Sequence, residues 1–245
     1  MKREKSEGNA SAVYDRLGEF HDLFMDEPWE RLRPVISQAF KEYGPGQRIV
    51  DLGAGSGLGI RVLAAETRAR LTALEPSLVM RAILTARTAD DVELRDRVTV
   101  VAGSIPHHLH SLPQLIDGVV CANMLGHLEP QDRQKLFSWI NACLTPHGTA
   151  IITVQTDDNE PGLREPFEER RTLGDYEYKA IYRQSSQHHH FSSRYEVRHR
   201  NALVRAEEYE GRWYTVTLQD VRTELDGLDL TASTASPNVL LIRRP

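Results

Sequence analysis

The sequence contains little cysteine and no long apolar run. Cys121 and Cys143 are the only two cysteines among 245 residues, and each lies in an apolar stretch. So few cysteines exclude a disulfide scaffold and a zinc ribbon, and they favour a reducing compartment, which we take to be the cytoplasm. No apolar run approaches the roughly 20 residues of a membrane helix, and residues 1–10 lack the apolar segment of a secretory signal. We therefore expect a short disordered tail and no membrane partner.

An excess of positive charge is also lacking. The chain has 30 Lys and Arg against 35 Asp and Glu, which gives a formal net charge of −5 and a pI of about 6.1. Proteins that neutralise many phosphates are usually basic, so we do not expect nucleic acid as a partner. The hydrophobic fraction of 40% and the charged fraction of 27% are ordinary for a globular protein of one large or two small domains.

The apolar pattern divides the chain into four parts. Residues 1–44 contain the tail and two stretches with helical spacing, and in residues 45–156 short apolar strands alternate with amphipathic helices. After a polar break, residues 157–216 have the alternating pattern of antiparallel strands, and residues 217–245 return to a helix and two strands. Apolar strands that alternate with helices predict a parallel sheet covered on both faces.

The predicted strands follow from this pattern. In the core they are residues 48–52, 70–75, 98–102, 116–121 and 149–155. In the insertion they are residues 176–183, 194–203 and 211–216, and the chain closes with a helix over 218–225 and strands over 229–234 and 239–243.

A glycine-rich loop after the first predicted strand is the strongest signal for a binding site. It reads Asp51-Leu52-Gly53-Ala54-Gly55-Ser56-Gly57. Gly53 permits a tight turn, and Gly55 allows a ligand to approach the backbone closely. The amides of the helix behind the loop favour an anion or a carboxylate, and Asp51 is placed to receive the cation of an amino-acid moiety.

A carboxylate ends the second predicted strand. Glu75, followed by Pro76, stands 75 − 53 = 22 residues after Gly53, where a carboxylate accepts both hydroxyls of a ribose. Leu58 takes the place of the third glycine of a dinucleotide fingerprint, and the chain has no Tyr-x-x-x-Lys pair. These two departures disfavour a nicotinamide-dependent oxidoreductase.

These motifs resemble the first two motifs of the class I S-adenosylmethionine-dependent methyltransferases. The resemblance covers about Tyr14 to Arg243 and is nearest to small-molecule enzymes with a β insertion, such as amino-sugar N-methyltransferases and glycine N-methyltransferase. It implies an α/β fold with a doubly wound, seven-stranded sheet of order 3-2-1-4-5-7-6 whose last strand is antiparallel, plus an N-terminal helical lid and an antiparallel β insertion. It also implies S-adenosyl-L-methionine as cofactor, a small-molecule acceptor methylated on O, N or C, and natural-product biosynthesis as one setting. A homodimer through the insertion is left open.

The resemblance also implies a set of cofactor-binding residues. They are Asp51, Gly53, Ala54, Gly55, Gly57, Glu75, Pro76, Gly103, Ser104, Ile105, Asn123 and Met124. Ser104 is a departure, because the family usually has an acidic residue there to accept a hydrogen bond from the adenine amino group. A hydroxyl accepts only an uncharged hydrogen bond, which is weaker than a charge-assisted one.

Two residues are candidates for the chemistry. His127 follows the fourth predicted strand, matches the Gly-His pair of the family, and is the first candidate for a general base. Its alternative role is to orient the loop before the helix at Pro130. Tyr14, in the lid segment, either orients the acceptor or packs the first helix onto the core. The tryptophans, Trp213 among them, are expected to pack.

Other functions remain open at this point. The same fold hosts cyclases and pericyclic catalysts that use the sulfonium differently, and a non-catalytic cofactor-binding partner protein is a further alternative. A nucleic-acid methyltransferase is disfavoured, because no Asn-Pro-Pro-Tyr-type loop follows the fourth strand. The histidines of residues 107–110 and 188–190 lack a known metal-ligand spacing, so we expect no metal site.

Overall fold

The computed structural model describes residues 10–155, 167–184 and 190–245. The predicted tail up to residue 9, the polar break at 157–162, and His188 and His189 lie outside the described residues. In chain order the elements are α1 (Ala10–Phe40), β1 (Arg48–Leu52), α2 (Leu58–Glu66), β2 (Arg70–Glu75), α3 (Leu78–Asp90), α4 (Val92–Arg97), β3 (Val98–Ala102), β4 (Ile116–Cys121), α5 (Pro130–Cys143), β5 (Leu144–Thr153), β6 (Phe167–Leu173), β7 (Tyr176–Gln184), β8 (His190–His199), β9 (Ala202–Arg212), α6 (Leu218–Glu224), β10 (Thr231–Ser236) and β11 (Val239–Arg243). None of the described helices is both long and apolar enough to cross a membrane.

Seven strands form the central sheet, in the order β10-β11-β5-β4-β1-β2-β3. When the core strands are numbered along the chain, this order is 3-2-1-4-5-7-6. The first five strands pair in parallel, whereas β11 is antiparallel to β5 and to β10. The predicted topology is therefore confirmed, and β1 to β4 and β11 have the predicted bounds.

Burial on both faces explains why the core strands were predictable. In β1, residues 49–52 are all buried, and one side of the sheet packs under α5 and α6 while the other packs under α1, α2 and α3. A strand enclosed on both faces is a short continuous apolar run, which stands out from its amphipathic neighbours in the sequence.

The N-terminal region is one helix instead of the predicted two. The 31-residue helix α1 continues through Pro28 and Pro34. A proline removes one backbone hydrogen bond and usually kinks or ends a helix. Here the second half of the helix is held by its buried face, which consists of Trp29, Leu32, Ile36 and Phe40.

The insertion is a separate four-stranded antiparallel sheet, β6-β7-β8-β9, and not the three strands predicted. The charge-rich β6 was not predicted as a strand. The predicted strand 194–203 is divided by a turn at Arg200 and Asn201, which have φ of 48° and 67°, and residues 213–216 lie outside the strands. Charged side chains on the outer face hide the alternation of apolar and polar residues that marks a strand. They are accommodated there because they form ion pairs across strands, as Lys179 does with Glu168 at 2.9 Å.

Two strands of the core begin or end elsewhere than predicted. Strand β5 spans Leu144–Thr153 and not 149–155. Its start was not predicted because Pro146 and Gly148 are residue types typical of turns, and at its other end Gln155 forms only an isolated bridge to Thr217. Strand β10 spans Thr231–Ser236 and not 229–234, because Ser236 still pairs with Val239 across a tight turn.

A buried ion pair fixes α5 to α6. Arg133 donates from Nε and Nη2 to the carboxylate of Glu224, at 3.0 Å and 2.5 Å, and from Nη1 to the carbonyl oxygen of Leu128 at 2.9 Å. Both side chains are buried, with exposed fractions of 7% and 11%.

We expect Arg133→Met to lower the free energy of unfolding by about 3–5 kcal/mol, because it leaves the Glu224 carboxylate buried without its partner. Urea denaturation measures this change. The double variant Arg133→Met/Glu224→Leu is the control, since it removes both charges and is expected to recover most of the loss. Equal destabilisation of the single and double variants would show that packing, and not the unpaired charge, is the cause.

Candidate active site

A cavity of about 890 Å³ opens at the carboxyl ends of the parallel strands. This volume lies within the range of roughly 300–1,000 Å³ that is typical of small-molecule sites. The order of the sheet reverses between β1 and β4, and ligands of open α/β sheets bind outside the strand ends at such a point. One wall comes from α1, whose lining residues share a helical face; they include Tyr14, Leu17, His21, Phe24 and Pro28.

The glycine loop forms the floor of this cavity. Gly53, Ala54 and Gly55 line it, and Gly53 and Gly55 have φ of 74° and 56°, a conformation that favours glycine. A Cβ on Gly53 would lie 2.8 Å from Cγ of Met124, so a larger residue does not fit there. Gly57 lies behind the loop, where Leu84 of α3 packs against it.

Glu75 lies beside the loop as predicted. Its Oε2 atom accepts a hydrogen bond from the amide of Gly55, and its Oε1 atom accepts one from the amide of Ser77, both at 2.8 Å. Burial raises the pKa of Glu75, although these two amides oppose the shift. Glu75 and Pro76 both line the cavity, so the carboxylate is available to a ligand at the end of β2.

Asp51 and Gly57 are the two predicted site residues that do not line the cavity. Of these two, Asp51 is the one with a polar side chain. Its side chain is buried beneath the loop and does not belong to the cavity lining. Within the described part of the chain, its Oδ2 atom has no hydrogen-bond partner. Burial and the nearby Glu75 carboxylate raise the pKa of Asp51 to about 7. A direct contact between Asp51 and an amino-acid moiety therefore stays a prediction.

The ends of β3 and β4 supply the remaining predicted residues. Gly103, Ser104 and Ile105 line the cavity on one side, and Asn123 and Met124 line it on the other. The amide of Ser104 donates to Nδ1 of His108 at 3.0 Å, which fixes the backbone after β3. Asn123 has a φ of 53°, and its amide donates to Oγ1 of Thr153 at 2.7 Å.

Tyr14 and His127 are brought together across the cavity. The Tyr14 hydroxyl and Nε2 of His127 are hydrogen-bonded at 2.8 Å, although the residues are 113 positions apart. Burial lowers the pKa of His127 from its ordinary 6.5 to about 4, so the imidazole is neutral at physiological pH. Burial also raises the pKa of Tyr14, so the phenol keeps its proton.

Trp213 is a site residue that sequence reasoning missed. It lines the cavity, and its ring meets that of His127 edge-on, with the ring centroids 4.6 Å apart. The indole also lies on the backbone of Gly126, where a Cβ would come within 2.2 Å of it. No local pattern marks this position, because Trp213 follows the insertion and its partners precede it by more than 80 residues.

The insertion contributes aromatic rings to the cavity. Tyr182, Tyr195 and Tyr209 line it from the second sheet, and Tyr195 stacks on Phe20 of α1 at 4.9 Å between ring centroids. Burial raises the pKa of all three phenols, that of Tyr209 to about 12, so they are uncharged at neutral pH. Two carboxylates near the start of α5, Glu129 and Asp132, also border the cavity.

Comparison with known proteins identifies the family. The fold is similar to the structure of S-adenosylmethionine-bound CalS10, described as an amino pentose methyltransferase from Micromonospora echinaspora involved in calicheamicin biosynthesis. The TM-score is 0.71, with 14% identity and complete coverage of both chains. A family profile described as a methyltransferase domain matches residues 21–202, more than half of the chain. The chain belongs to the class I S-adenosylmethionine-dependent methyltransferases.

Sequence relatives of this methyltransferase act on different atoms. Phosphoethanolamine N-methyltransferase 2 of Caenorhabditis elegans is 28% identical over 119 residues, and the ubiquinone biosynthesis O-methyltransferase of Vibrio cholerae is 29% identical over 125 residues. These alignments cover 49% and 51% of the chain. They span only 26% and 48% of the two relatives' own lengths.

The cavity of the methyltransferase fits the cofactor of its family, S-adenosylmethionine. Two glycines with positive φ leave the backbone of the loop open to a ligand, and the Glu75 carboxylate stands beside them at the end of β2. These features suit a nucleoside with an amino-acid moiety. Sequence reasoning also missed His21, which lies over Gly55 in the cavity. The sequence does contain a signal for it, because residues seven positions apart, such as Tyr14 and His21, lie on the same face of a helix.

Proposed function

We propose that the chain transfers a methyl group from S-adenosylmethionine to an O, N or C atom of a small molecule, and that an amine nitrogen of a sugar-like acceptor is the foremost candidate. The observation that carries this proposal is the Tyr14–His127 hydrogen bond in a cavity bordered by the glycine loop on one side and by tyrosines on the other. Neutral aromatic rings and the carboxylates of Glu129 and Asp132 suit an acceptor that is cationic when protonated.

The predicted cofactor-binding residues are assigned roles on this basis. Glu75 would accept the ribose hydroxyls, Gly53 to Gly55 would face the amino-acid moiety, and Ser104 and Ile105 would border the adenine. When bound, the cofactor supplies an electrophilic methyl group on a sulfonium. The protein then contributes mainly by orienting the acceptor and excluding water.

Tyr14 and His127 would orient the acceptor. The neutral imidazole accepts a hydrogen bond from the Tyr14 hydroxyl, so the phenol oxygen is free to accept a hydrogen bond from an acceptor N–H or O–H group. Such a bond would hold the acceptor and turn its lone pair toward the methyl group. The low pKa of His127 makes it a weak base, which favours this orienting role over the general-base role.

The similarity to the structure of CalS10 supports an amino sugar as the acceptor. CalS10 is described as an amino pentose methyltransferase involved in calicheamicin biosynthesis, which also supports a natural-product setting. The two cysteines are free, in keeping with a reducing, cytoplasmic location. We also propose a homodimer, because Leu173, Tyr176, Leu203 and Val204 form exposed apolar surface at the hairpin tips of the second sheet.

Two experiments test the function. Calorimetric titration with S-adenosylhomocysteine, with NAD as a parallel control, is expected to show micromolar binding of the former and none of the latter. Transfer of a labelled methyl group is then measured with an amino sugar, a phenol and a blank as acceptors, and the amino sugar is expected to be labelled. Binding of NAD alone would contradict the cofactor assignment. Labelling of the phenol alone would exclude the amine acceptor, and labelling of neither would favour a non-methylating or non-catalytic role.

A further inference from the structure

Three elements meet in a polar junction next to the glycine loop. We define the junction as Asp22 on α1, Ser56 in the loop and Arg87 in the last turn of α3. Ser56 Oγ donates to Oδ1 of Asp22, and Nη2 of Arg87 donates to Oδ2 of the same carboxylate. Nη1 of Arg87 donates to the carbonyl oxygen of Ser56 at 2.9 Å. Each member of the junction therefore contacts the other two.

The junction fixes the loop from behind. Ser56 is fully buried and follows Gly55, whose amide binds the Glu75 carboxylate. The loop is thus held at Gly55 by Glu75, and at Ser56 by Asp22 and Arg87. Leu84, one turn before Arg87, packs against Gly57, so α3 contacts the loop at both Ser56 and Gly57.

The junction also fixes the cavity wall that α1 provides. Asp22 lies next to His21, which lines the cavity over Gly55. One end of this wall is held by Asp15, which accepts hydrogen bonds from Ser77 Oγ at 2.6 Å and from the amide of Val79 at 3.3 Å. Both attachments use carboxylates of α1, but only Asp22 contacts the glycine loop itself.

Partial burial strengthens the junction. The side chains of Asp22 and Arg87 are 26% and 28% exposed, so water and salt screen the pair less than an ordinary surface ion pair. Burial alone would raise the pKa of Asp22. Hydrogen bonds from His21, Arg87 and Ser56 outweigh this effect and lower the pKa well below its ordinary value. The carboxylate is therefore ionised throughout the physiological range.

We propose that Asp22 and Arg87 are positioning residues that couple the α1 wall to the glycine loop and thereby set the residence time of the cofactor. The inference rests on the proposed cofactor site: a cofactor bound on the loop would lie between the loop and the α1 wall, and movement of the wall would release it. The junction opposes that movement, and Arg87 holds both surfaces with one planar guanidinium. A lysine presents a single ammonium group and does not reproduce this fork.

The dissociation rate constant of S-adenosylhomocysteine tests this proposal, and surface plasmon resonance separates it from the association rate constant. We expect Arg87→Met and Asp22→Asn each to raise the dissociation rate at least tenfold. The double variant is expected to be no faster than the faster single variant, because both changes break the same junction. Arg87→Lys is expected to be intermediate, with a melting temperature close to that of the unaltered protein.

Arg68→Met is the matched control, because Arg68 forms an exposed pair with Glu93 away from the cavity. It is expected to leave the dissociation rate within twofold. The proposal is overturned if Arg87→Lys and Asp22→Asn also stay within twofold, or if the two single effects multiply in the double variant. This test needs no acceptor, so its failure would leave the proposed methyl transfer to an amine untouched.

Discussion

Replacing Gly55 by valine is expected to abolish binding of S-adenosylhomocysteine, with a loss of affinity of at least about 100-fold. Gly55 has a φ of 56°, which a β-branched residue rarely adopts. A Cβ at this position would already lie 3.3 Å from Cε1 of His21, and the two methyl groups of valine would extend further into the cavity. Calorimetric titration of the folded variant measures the effect.

Gly174→Val separates the backbone effect from the effect on the cavity. Gly174 has nearly the same φ, 57°, but lies in the turn between β6 and β7, where no atom comes within 4 Å of an added Cβ. This variant is expected to lose a similar amount of stability through backbone strain and to bind S-adenosylhomocysteine normally. Normal binding by Gly55→Val would show that the loop does not hold the cofactor.

Removing the Tyr14 hydroxyl is expected to lower kcat by about 10²-fold, a loss typical of a misoriented acceptor. Tyr14→Phe keeps the ring in the cavity wall but loses the hydrogen bond to His127. His127→Ala is expected to lower kcat to a similar extent, because the phenol then lacks the partner that fixes its orientation. S-adenosylhomocysteine affinity is expected to stay within about threefold in both variants, because neither group belongs to the glycine loop.

The pH dependence distinguishes an orienting histidine from a general base. Burial lowers the pKa of His127 to about 4, so this residue does not change its charge between pH 6 and pH 8. We therefore expect the ratio of kcat between the unaltered protein and His127→Ala to be constant over this range. A base with the ordinary pKa of histidine would instead make the ratio fall as the pH drops through about 6.5.

His127→Gln is the conservative control for this experiment. A glutamine amide still accepts a hydrogen bond through its oxygen, so this variant is expected to recover part of the activity that alanine loses. If glutamine is as inactive as alanine and the ratio falls below pH 7, the general-base role of His127 is supported and the orienting role is wrong.

The central sheet was predictable because its signals are local. Strands β1 to β4 are short apolar runs with clear ends, and the loop from Gly53 to Gly57 directly follows one of them. The carboxyl ends of parallel strands lie at one edge of the sheet. Because Glu75 ends the second predicted strand and the loop follows the first, the two are expected to lie side by side. The structure places Gly103, Ser104, Asn123 and Met124 at the same edge.

The features that the sequence did not predict depend on contacts between distant parts of the chain. Helix α1 continues through two prolines because its buried face holds it, and this packing is not visible in local propensity. The insertion differs from the prediction because ion pairs across strands, Lys179–Glu168 and Arg194–Glu208, place charged residues where an apolar alternation is expected. Trp213 and the Asp22–Arg87 pair acquire their roles only when the chain is folded.

The contact between Gly126 and Trp213 has a consequence for building chimaeras of this chain. The indole lies on the backbone of Gly126, and the amide of Tyr214 donates to the carbonyl oxygen of Gly126 at 2.7 Å. The segment after β9 is therefore joined to the loop after β4 by a close contact, in which a side chain on residue 126 would overlap the indole. A chimaera whose foreign segment extends past residue 212 must therefore keep an aromatic ring at position 213 against the glycine at position 126. The natural exchange boundary accordingly lies at residue 212, at the end of β9.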